Sequence, residues 1–524
     1  MTSTFTAREL KSQTLALAFA CLGSAVLVGV LISGNRKLIL GAIAGGLCLA
    51  LAYISGNLRL FSTWAFMFTL PFDLSKRLGP VIEKMGGESS FRIELSDPFL
   101  LVLIWYLASE IWTGRRAGVR IPKIIYPWLL VMLMGIVSAI SGPYHLTTMH
   151  EVVRMAKVTV LFIVICNELE RPRRFLECAS ALTLGLIVQS LAGLTQLIKG
   201  SQLGLSALGE SSPQTVEQLA TSSVEDERVF RISAFLIHPN VFGIYLAALL
   251  PLVIGCFLIR TGKLSRSMFF SGVVVGMAAL IGTLSRSAWV SFAAAFMVLI
   301  LLMFFHDALR RRTLLTAALA IATVGLMLSV YSGPIMARLF SSQDGASLGR
   351  AEYRRDAWKM IEKKPWFGWG LNTYVYYVPP FTRYGSKIAR TIYKGWIPAV
   401  HNIYLLWIAE TGYIGFAIHM AMLAGIIWAC VGNVRVRDEL LFTINAACMG
   451  ALAAFLMDGF FSFSLRINAI CRLFWVIAGM IMAIRYWRLR DEAARRQKRR
   501  ALQVPRESEI VTIHSAEHAH PVPR

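Results

Sequence analysis

Long apolar runs recur from Thr14 to Ile484, most of them near the roughly 20 residues an α-helix needs to cross a bilayer. Only 16% of the residues are charged and 56% are hydrophobic, whereas a soluble domain carries roughly a quarter charged residues. Backbone groups in lipid must be satisfied within the segment or within a closed barrel, and uninterrupted apolar runs of this length select the helix. The expected fold is all-α, a polytopic helical membrane protein with about 12–14 transmembrane helices. The expected spans are 13–34, 38–56, 58–72, 97–113, 124–142, 150–168, 175–198, 234–259, 267–284, 287–305, 313–332, 402–429, 439–459 and 467–486. The 58–72 run is short, which is why the lower counts are admitted. The first run is long and lacks a small-x-small cleavage site, so it reads as a retained helix rather than a signal peptide. All eight cysteines lie in apolar runs or at their ends, which argues against disulfides and against a thiolate metal site.

Orientation follows from the short loops. Arg115, Arg116, Arg120 and Lys123 form one basic loop, and Arg171, Arg173 and Arg174 a second. Arg260, Lys263 and Arg266, then Arg310, Arg311 and Arg312, then Arg435 and Arg437 form the others. With about fourteen spans, all of these share a side with both termini, and that side is expected to be cytoplasmic. Arg36 and Lys37 fall on the opposite side, so the first helices are the least constrained. The formal net charge of +23 is thereby explained by topology and implies a lipid bilayer as partner, not nucleic acid.

Three longer loops face outward. Residues 73–96 carry mixed charge, residues 200–230 are acidic and rich in Ser and Thr, and residues 333–400 are basic and aromatic. In the last, the pattern predicts a helix over 348–363 with Arg350, Arg354, Trp358 and Ile361 on one face. Pro365 and Gly368-Trp369-Gly370 end it. A solvated amphipathic helix on the membrane surface fits the same pattern. The chain divides into N-terminal transmembrane helices (1–200), a second transmembrane region (201–486) that includes the 333–400 loop, and a cytoplasmic basic tail (487–524) whose lack of apolar periodicity predicts disorder. The tail's arginines and lysine between Arg488 and Arg500 suit anionic headgroups.

Four outer positions carry candidate chemistry. His401 and Asn402 stand where the largest loop enters a span. Asn402 is an expected N-cap, and a helix N-terminus attracts anions and disfavours a protonated imidazole. A neutral His beside an anion site serves as a general base, although a simple interfacial cap explains the pair equally. Arg231 precedes His238-Pro239-Asn240, where the 200–230 loop enters a span. There His238 is expected to help end the loop, and Asn240 to be an N-cap or an acceptor-binding amide. Arg286 occupies a very short turn, Thr283-Leu-Ser285-Arg286, with no acidic residue near it in sequence. Arginine at membrane depth marks a substrate path unless it snorkels to the interface. Arg350 lies in the large loop. Several arginine forks suited to phosphate, a neutral His and no metal motif suggest a site that binds a pyrophosphate and removes one proton. Asp458 and Arg466 are close enough in sequence to pair, and Glu410, half a turn round from His401, is expected to pack or to orient another helix. Walker A, H-E-x-x-H and Cys/His zinc spacings are missing from the sequence.

The ordered set is Arg231…Ser-Ala-Phe…His-Pro-Asn…Gly243, Ser285-Arg286-Ser-Ala, Gly349-Arg350…Trp358…Pro365-Trp-Phe-Gly-Trp-Gly370 and His401-Asn402…Glu410-Thr-Gly412. It resembles the O-antigen ligase / O-antigen polymerase superfamily of bacterial inner-membrane proteins over roughly residues 230–470. The order and outer location of these motifs, rather than any single one, carry the likeness. The resemblance implies a GT-C-like, metal-independent glycosyltransferase with a large periplasmic loop and no cofactor. It implies an undecaprenyl-pyrophosphate-linked glycan as donor, and a second glycan or lipid A–core as acceptor. By the family pattern Arg231 and Arg286 hold the pyrophosphate and His401 activates the acceptor hydroxyl. Arg350, Asn240 and Asn402 are further candidate substrate contacts. A chain-length regulator or a flippase is the kind of protein partner considered. The length, the 200–230 loop and the basic tail depart from compact ligases and favour a polymerase of O-antigen or exopolysaccharide. The competing classes are a non-catalytic membrane assembly scaffold and a polytopic anion or solute transporter. Such proteins show internal repeats with Gly/Pro-broken helices in matching halves, and the sequence shows no such symmetry.

Overall fold

The computed structural model describes residues 46, 50–82, 87–210, 221–224, 227–236, 238–259, 262–306, 310–314, 318, 325, 345–382 and 399–503. The expected spans at 13–34, 38–56 and 313–332 lie wholly or largely outside these residues, as do Arg36, Lys37, Arg260, most of the acidic stretch 211–226, the loop segment 383–398 and the tail beyond 503.

Among the described residues eleven helices stand where spans were expected. They are α1 (Leu58–Thr69), α2 (Asp97–Trp112), α3 (Ile125–Ser141), α4 (His145–Glu168), α5 (Pro172–Lys199), α6 (Pro239–Leu258), α7 (Lys263–Gly282), α8 (Arg286–Phe304), α11 (Ile403–Asn433), α12 (Glu439–Asp458) and α13 (Asn468–Gln503). Between α8 and α11 come α9 (Gly345–Lys363) and the short α10 (Tyr374–Tyr377). Among the described residues seven helices, α5 to α8 and α11 to α13, are long and apolar enough to cross a membrane. The protein is a polytopic helical membrane protein. Among the described residues two antiparallel hairpins interrupt the loops at 73–96 and 200–230: β1 (Ser75–Leu78) pairs with β2 (Phe91–Glu94), and β3 (Thr221–Val224) with β4 (Glu227–Phe230). Hydrophobic periodicity did not signal them, because Ser75–Leu78 carries no alternation and a four-residue run such as Phe91–Glu94 is the shortest that can show one.

The bundle is centred on α6, buried almost throughout and enclosed by α5, α7, α8 and α12. It is apolar on every side, which is the composition of a helix with no water-facing surface. Small residues allow the approach: a Cβ on Gly243 would meet the Ala288 Cβ at 2.6 Å, and one on Gly450 of α12 would meet the Ala295 carbonyl oxygen at 2.7 Å. A second group joins α3, α4, α11 and α13, so helices from both sides of residue 200 share one core.

Contacts between distant segments fix the two ends of the bundle. Arg116 donates to Glu170 at 3.0 Å and Arg120 to Glu170 at 2.7 Å, joining the first two basic loops. Cys166 reaches the Gly479 carbonyl and Asn433 donates to the Ile481 carbonyl at 2.9 Å, so the ends of α4 and α11 lie level with the same turn of α13. The loops around Arg116, Arg171 and Arg435 therefore gather at the end from which the basic part of α13 emerges. The β1–β2 hairpin lies at the other end, where Glu94 meets Arg472 at 2.5 Å and Glu88 accepts from Asn468 at 2.7 Å. Cysteines introduced at exposed Arg355 and at exposed Arg490 should differ in labelling by an impermeant thiol reagent on intact spheroplasts. The six described native cysteines are buried and should stay silent. Equal labelling at the two sites refutes this arrangement.

Candidate functional site

His401 precedes α11, and the local chain is pinned by its backbone. Ile403 N–H donates to the Gly459 carbonyl at 2.9 Å, and Asn402 N–H to the Val400 carbonyl at 2.8 Å. The Asn402 Oδ1 accepts from Leu405 N–H at 3.0 Å, which is the expected N-cap, worth about 1 kcal/mol. Its Nδ2 donates to the Phe460 carbonyl at 3.3 Å, so the cap also ties α11 to the turn after α12. The half-buried His401 ring lies between Tyr353 of α9, near-parallel at 6.2 Å between centroids, and Phe463, edge-on at 5.2 Å. Burial, and then the Arg350 guanidinium, push its pKa down to about 4, with the Ala399 backbone opposing. The imidazole is neutral, and able to accept a proton, across the whole near-neutral range.

Arg350 and Tyr353 are carried on α9, which packs on α11. Its buried stripe is Asp356, Ala357, Met360 and Ile361. Arg354 and Trp358 point outward, so the face expected from Arg350, Arg354, Trp358 and Ile361 is shifted round the helix. Ala357 and Met360, not the large aromatic, take the buried positions of the helix. The helix is a packed element rather than a solvated one lying alone on the surface.

The segment after α9 enters a break in α11. At Gly412 the helix adopts φ 67° and ψ −176°, against the expectation of one continuous span. Carbonyls freed by the break are taken by the incoming chain: Trp369 N–H donates to Ala409 O at 3.0 Å and Gly370 N–H to Glu410 O at 2.8 Å. Below the break, Tyr413 N–H donates to Pro365 O at 2.7 Å. Gly368, at φ 68°, and Gly412 face each other's strands, and a Cβ on either would collide with opposing backbone. Irregular backbone at membrane depth is tolerated only when so buried and paired.

A second cluster surrounds Arg231, which is 6% exposed. Its Nε donates to the Thr283 carbonyl at 3.0 Å and its Nη2 to Asn240 Oδ1 at 2.7 Å. The N-cap of α6 is His238, whose Nδ1 accepts from Asn240 N–H at 3.0 Å, and not Asn240. The Asn240 side chain is engaged by Arg231 instead. Arg286 is the half-buried first residue of α8. Leu284 and Ala234 both hold positive φ, 48° and 50°, in the two turns of this cluster. Such strain in a non-glycine residue persists only where surrounding structure enforces it.

The two clusters lie at one end of the bundle. From the Arg231 end, α6 descends to Leu258, whose carbonyl accepts from Arg312 at 2.9 Å. Arg312 lies 3.6 Å from Glu439 at the start of α12. That helix returns to Gly459, hydrogen-bonded to Ile403. The structure thus joins Arg231 to Asn240 and Thr283, joins His401 to Arg350 and Asn402, and keeps Arg286 in the turn next to Thr283.

A buried charge network behind this end was largely missed by sequence reasoning. Arg466 Nη1 lies 2.9 Å from Glu410 Oε2 and 3.5 Å from Glu151 Oε1, and its Nη2 donates to Asn372 Oδ1 at 3.1 Å. Arg154 pairs with Glu151. Arg466 therefore does not pair with Asp458, because the tight turn Ser464–Arg466 directs it into the bundle. Glu410 orients a neighbouring segment, as expected. The available signal was Glu151 and Arg154 three residues apart inside an apolar run, since ionisable groups at that depth must find partners.

Fold and geometry define the class: a multi-pass helical membrane protein with arginines and a neutral histidine gathered at one end. A family model described as O-antigen ligase matches residues 270–420, which contain Arg286, Arg350, His401 and Asn402. The resemblance to the O-antigen ligase / O-antigen polymerase superfamily therefore holds, and the chain carries an O-antigen ligase-type region. Arg231 and Asn240 lie upstream of the match. No curated protein matches the chain.

With its pKa near 4, His401 should remain a base down to mildly acidic conditions. The acid limb of the rate profile is expected well below pH 6. Arg350→Gln removes one of the two causes of the depression, so the limb should move to higher pH. Limbs near the ordinary histidine value in both proteins contradict the placement of Arg350.

Proposed function

We propose that the protein is a metal-independent, inverting, GT-C-like glycosyltransferase. It moves a glycan from undecaprenyl pyrophosphate to an acceptor hydroxyl at the periplasmic face of the bacterial inner membrane. The observation that carries this reading is the neutral His401 at a capped helix N-terminus, with Arg350 beside it and the Arg231–Arg286 turns at the same end. The acceptor O–H gives its proton to the imidazole as its oxygen bonds to the anomeric carbon. The bond from that carbon to the pyrophosphate oxygen breaks, and the electron pair leaves with the pyrophosphate. Arginines at the leaving group stabilise the charge as it develops. The strained Thr283–Ser285 turn and the Arg231–Asn240 bond preorganise that pole. The outer hairpins and the basic tail favour a polymerase, with a second lipid-linked repeat unit as acceptor, over a ligase acting on lipid A–core.

Reconstitution with a lipid-linked glycan and candidate acceptors is the test. Arg286→Lys keeps the charge but loses the two-pronged fork, and transfer should fall at least tenfold with the protein still monodisperse. Wild-type turnover by Arg286→Lys removes Arg286 as a phosphate ligand.

A further inference from the structure

The end of the bundle opposite His401 holds a built basic groove. It lies between the α11–α12 turn, with exposed Arg435 and Arg437, and the outward part of α13 from Trp487 to Arg499. Its volume is about 410 Å³, and its walls bring seven cationic side chains against two carboxylates. Both carboxylates are already engaged along α13: Asp491 with Arg495 at 2.8 Å and Glu492 with Arg488 at 3.2 Å. The charge that remains at the mouth, next to the turn, is arginine.

Height in the bundle says what the groove meets. The last fully buried apolar residue of α13 is Ile484, and Asn433 at the end of α11 is bonded to Ile481 one turn before it. The mouth of the groove, at Arg435, Arg437 and Arg488, therefore begins within about one turn, roughly 5 Å, of the apolar boundary. That is the level of lipid headgroups. Trp487, partly buried against the core, stands at the same level, the usual place of interfacial tryptophan. Arg488 is clamped: its side chain is 12% exposed and its Nη2 lies close over Gly432. A guanidinium held in place loses little freedom on binding and presents its donors in a fixed plane.

We propose that this groove binds the phosphate of an anionic phospholipid headgroup, gripped between Arg435 and Arg437 of the turn and Arg488 of α13. Arg495, Arg496 and Arg499, farther out on α13, supply attraction that fades within a Debye length. A ligand phosphate seated here bridges α11, α12 and α13, and α11 is the helix that begins beside His401. The inference concerns lipid binding and stands apart from the glycosyl-transfer reading.

The full-length protein in neutral detergent is titrated with phosphatidylglycerol, with phosphatidylcholine and with inorganic phosphate, and retained lipid is read by native mass spectrometry. Phosphatidylglycerol should be retained at least tenfold over phosphatidylcholine, and millimolar inorganic phosphate should not displace it. Arg435→Gln/Arg437→Gln/Arg488→Gln should erase that preference. If that triple variant does not fold, Arg437→Gln alone should reduce retention several-fold. Equal retention of the two lipids, undiminished retention in the folded variants, displacement by free phosphate, or capture of an acidic peptide in preference to lipid overturns the proposal.

Discussion

His401→Ala is expected to lose glycan transfer by a hundred- to ten-thousand-fold, roughly the contribution of a general base, while donor binding and thermal stability stay near wild type. A sugar hydroxyl is a weak nucleophile near neutral pH, and in the proposed reaction the pyrophosphate leaving group needs no protonation once arginines neutralise it. That reading leaves proton removal to the side chain. The His401 ring packs edge-on and face-on between Phe463 and Tyr353 but anchors no helix; Asn402 does that. Its removal therefore costs chemistry and little structure. Activity should survive EDTA, and the product should be inverted at the anomeric carbon with no covalent glycosyl-enzyme. Near-normal turnover by His401→Ala, or a trapped covalent glycan, reduces His401 to a packing residue beside the cap.

Arg466→Ala is expected to do the reverse. Arg466 is 5% exposed and its partners Glu410 and Glu151 are each 1% exposed. Removing one member of such a set strands opposite charges in a low-dielectric interior, at a cost of about 3–5 kcal/mol. The variant should aggregate or melt well below wild type in detergent. Arg466→Met combined with Glu410→Gln should recover part of the loss, because the stranded carboxylate is gone, leaving Glu151 with Arg154. A wild-type melting temperature for Arg466→Ala shows that the network contributes no net stability. The contrast separates the two roles: one histidine whose loss is felt in rate, one arginine whose loss is felt in folding.

The sequence made the helical frame legible because lipid imposes one rule on every span, and that rule is local. Each of the helices that fill expected spans from α1 to α12 begins and ends within about five residues of its apolar run, whereas α13 runs on past 486 into the basic tail as far as Gln503. The cap at Asn402 was legible for the same reason, since the side chain and the N–H it accepts are three residues apart. His238 was not, because an imidazole nitrogen is an uncommon cap acceptor beside Ser, Thr, Asp and Asn. The Arg466–Glu410 pair spans 56 residues and the Arg466–Asn372 bond 94, so proximity in sequence pointed to Asp458 instead. The break at Gly412 was hidden inside an unbroken hydrophobic run, where a glycine reads as filler until the strand that enters beside it is known.

That break has a mechanical corollary. The loop strand at Pro365–Gly370 and the helix carrying His401 are sewn together by amides and carbonyls on both sides of Gly412. Main-chain stitches ignore side-chain identity. The outward rings of Trp366 and Phe367 can be exchanged for other shapes without loosening the seam, provided the two glycines stay. Arg350, mounted on α9 just upstream, and His401, mounted just above the seam, therefore ride on one chassis. In the proposed reaction the glycan can change through the outer side chains while His401 and Arg350 keep their spacing.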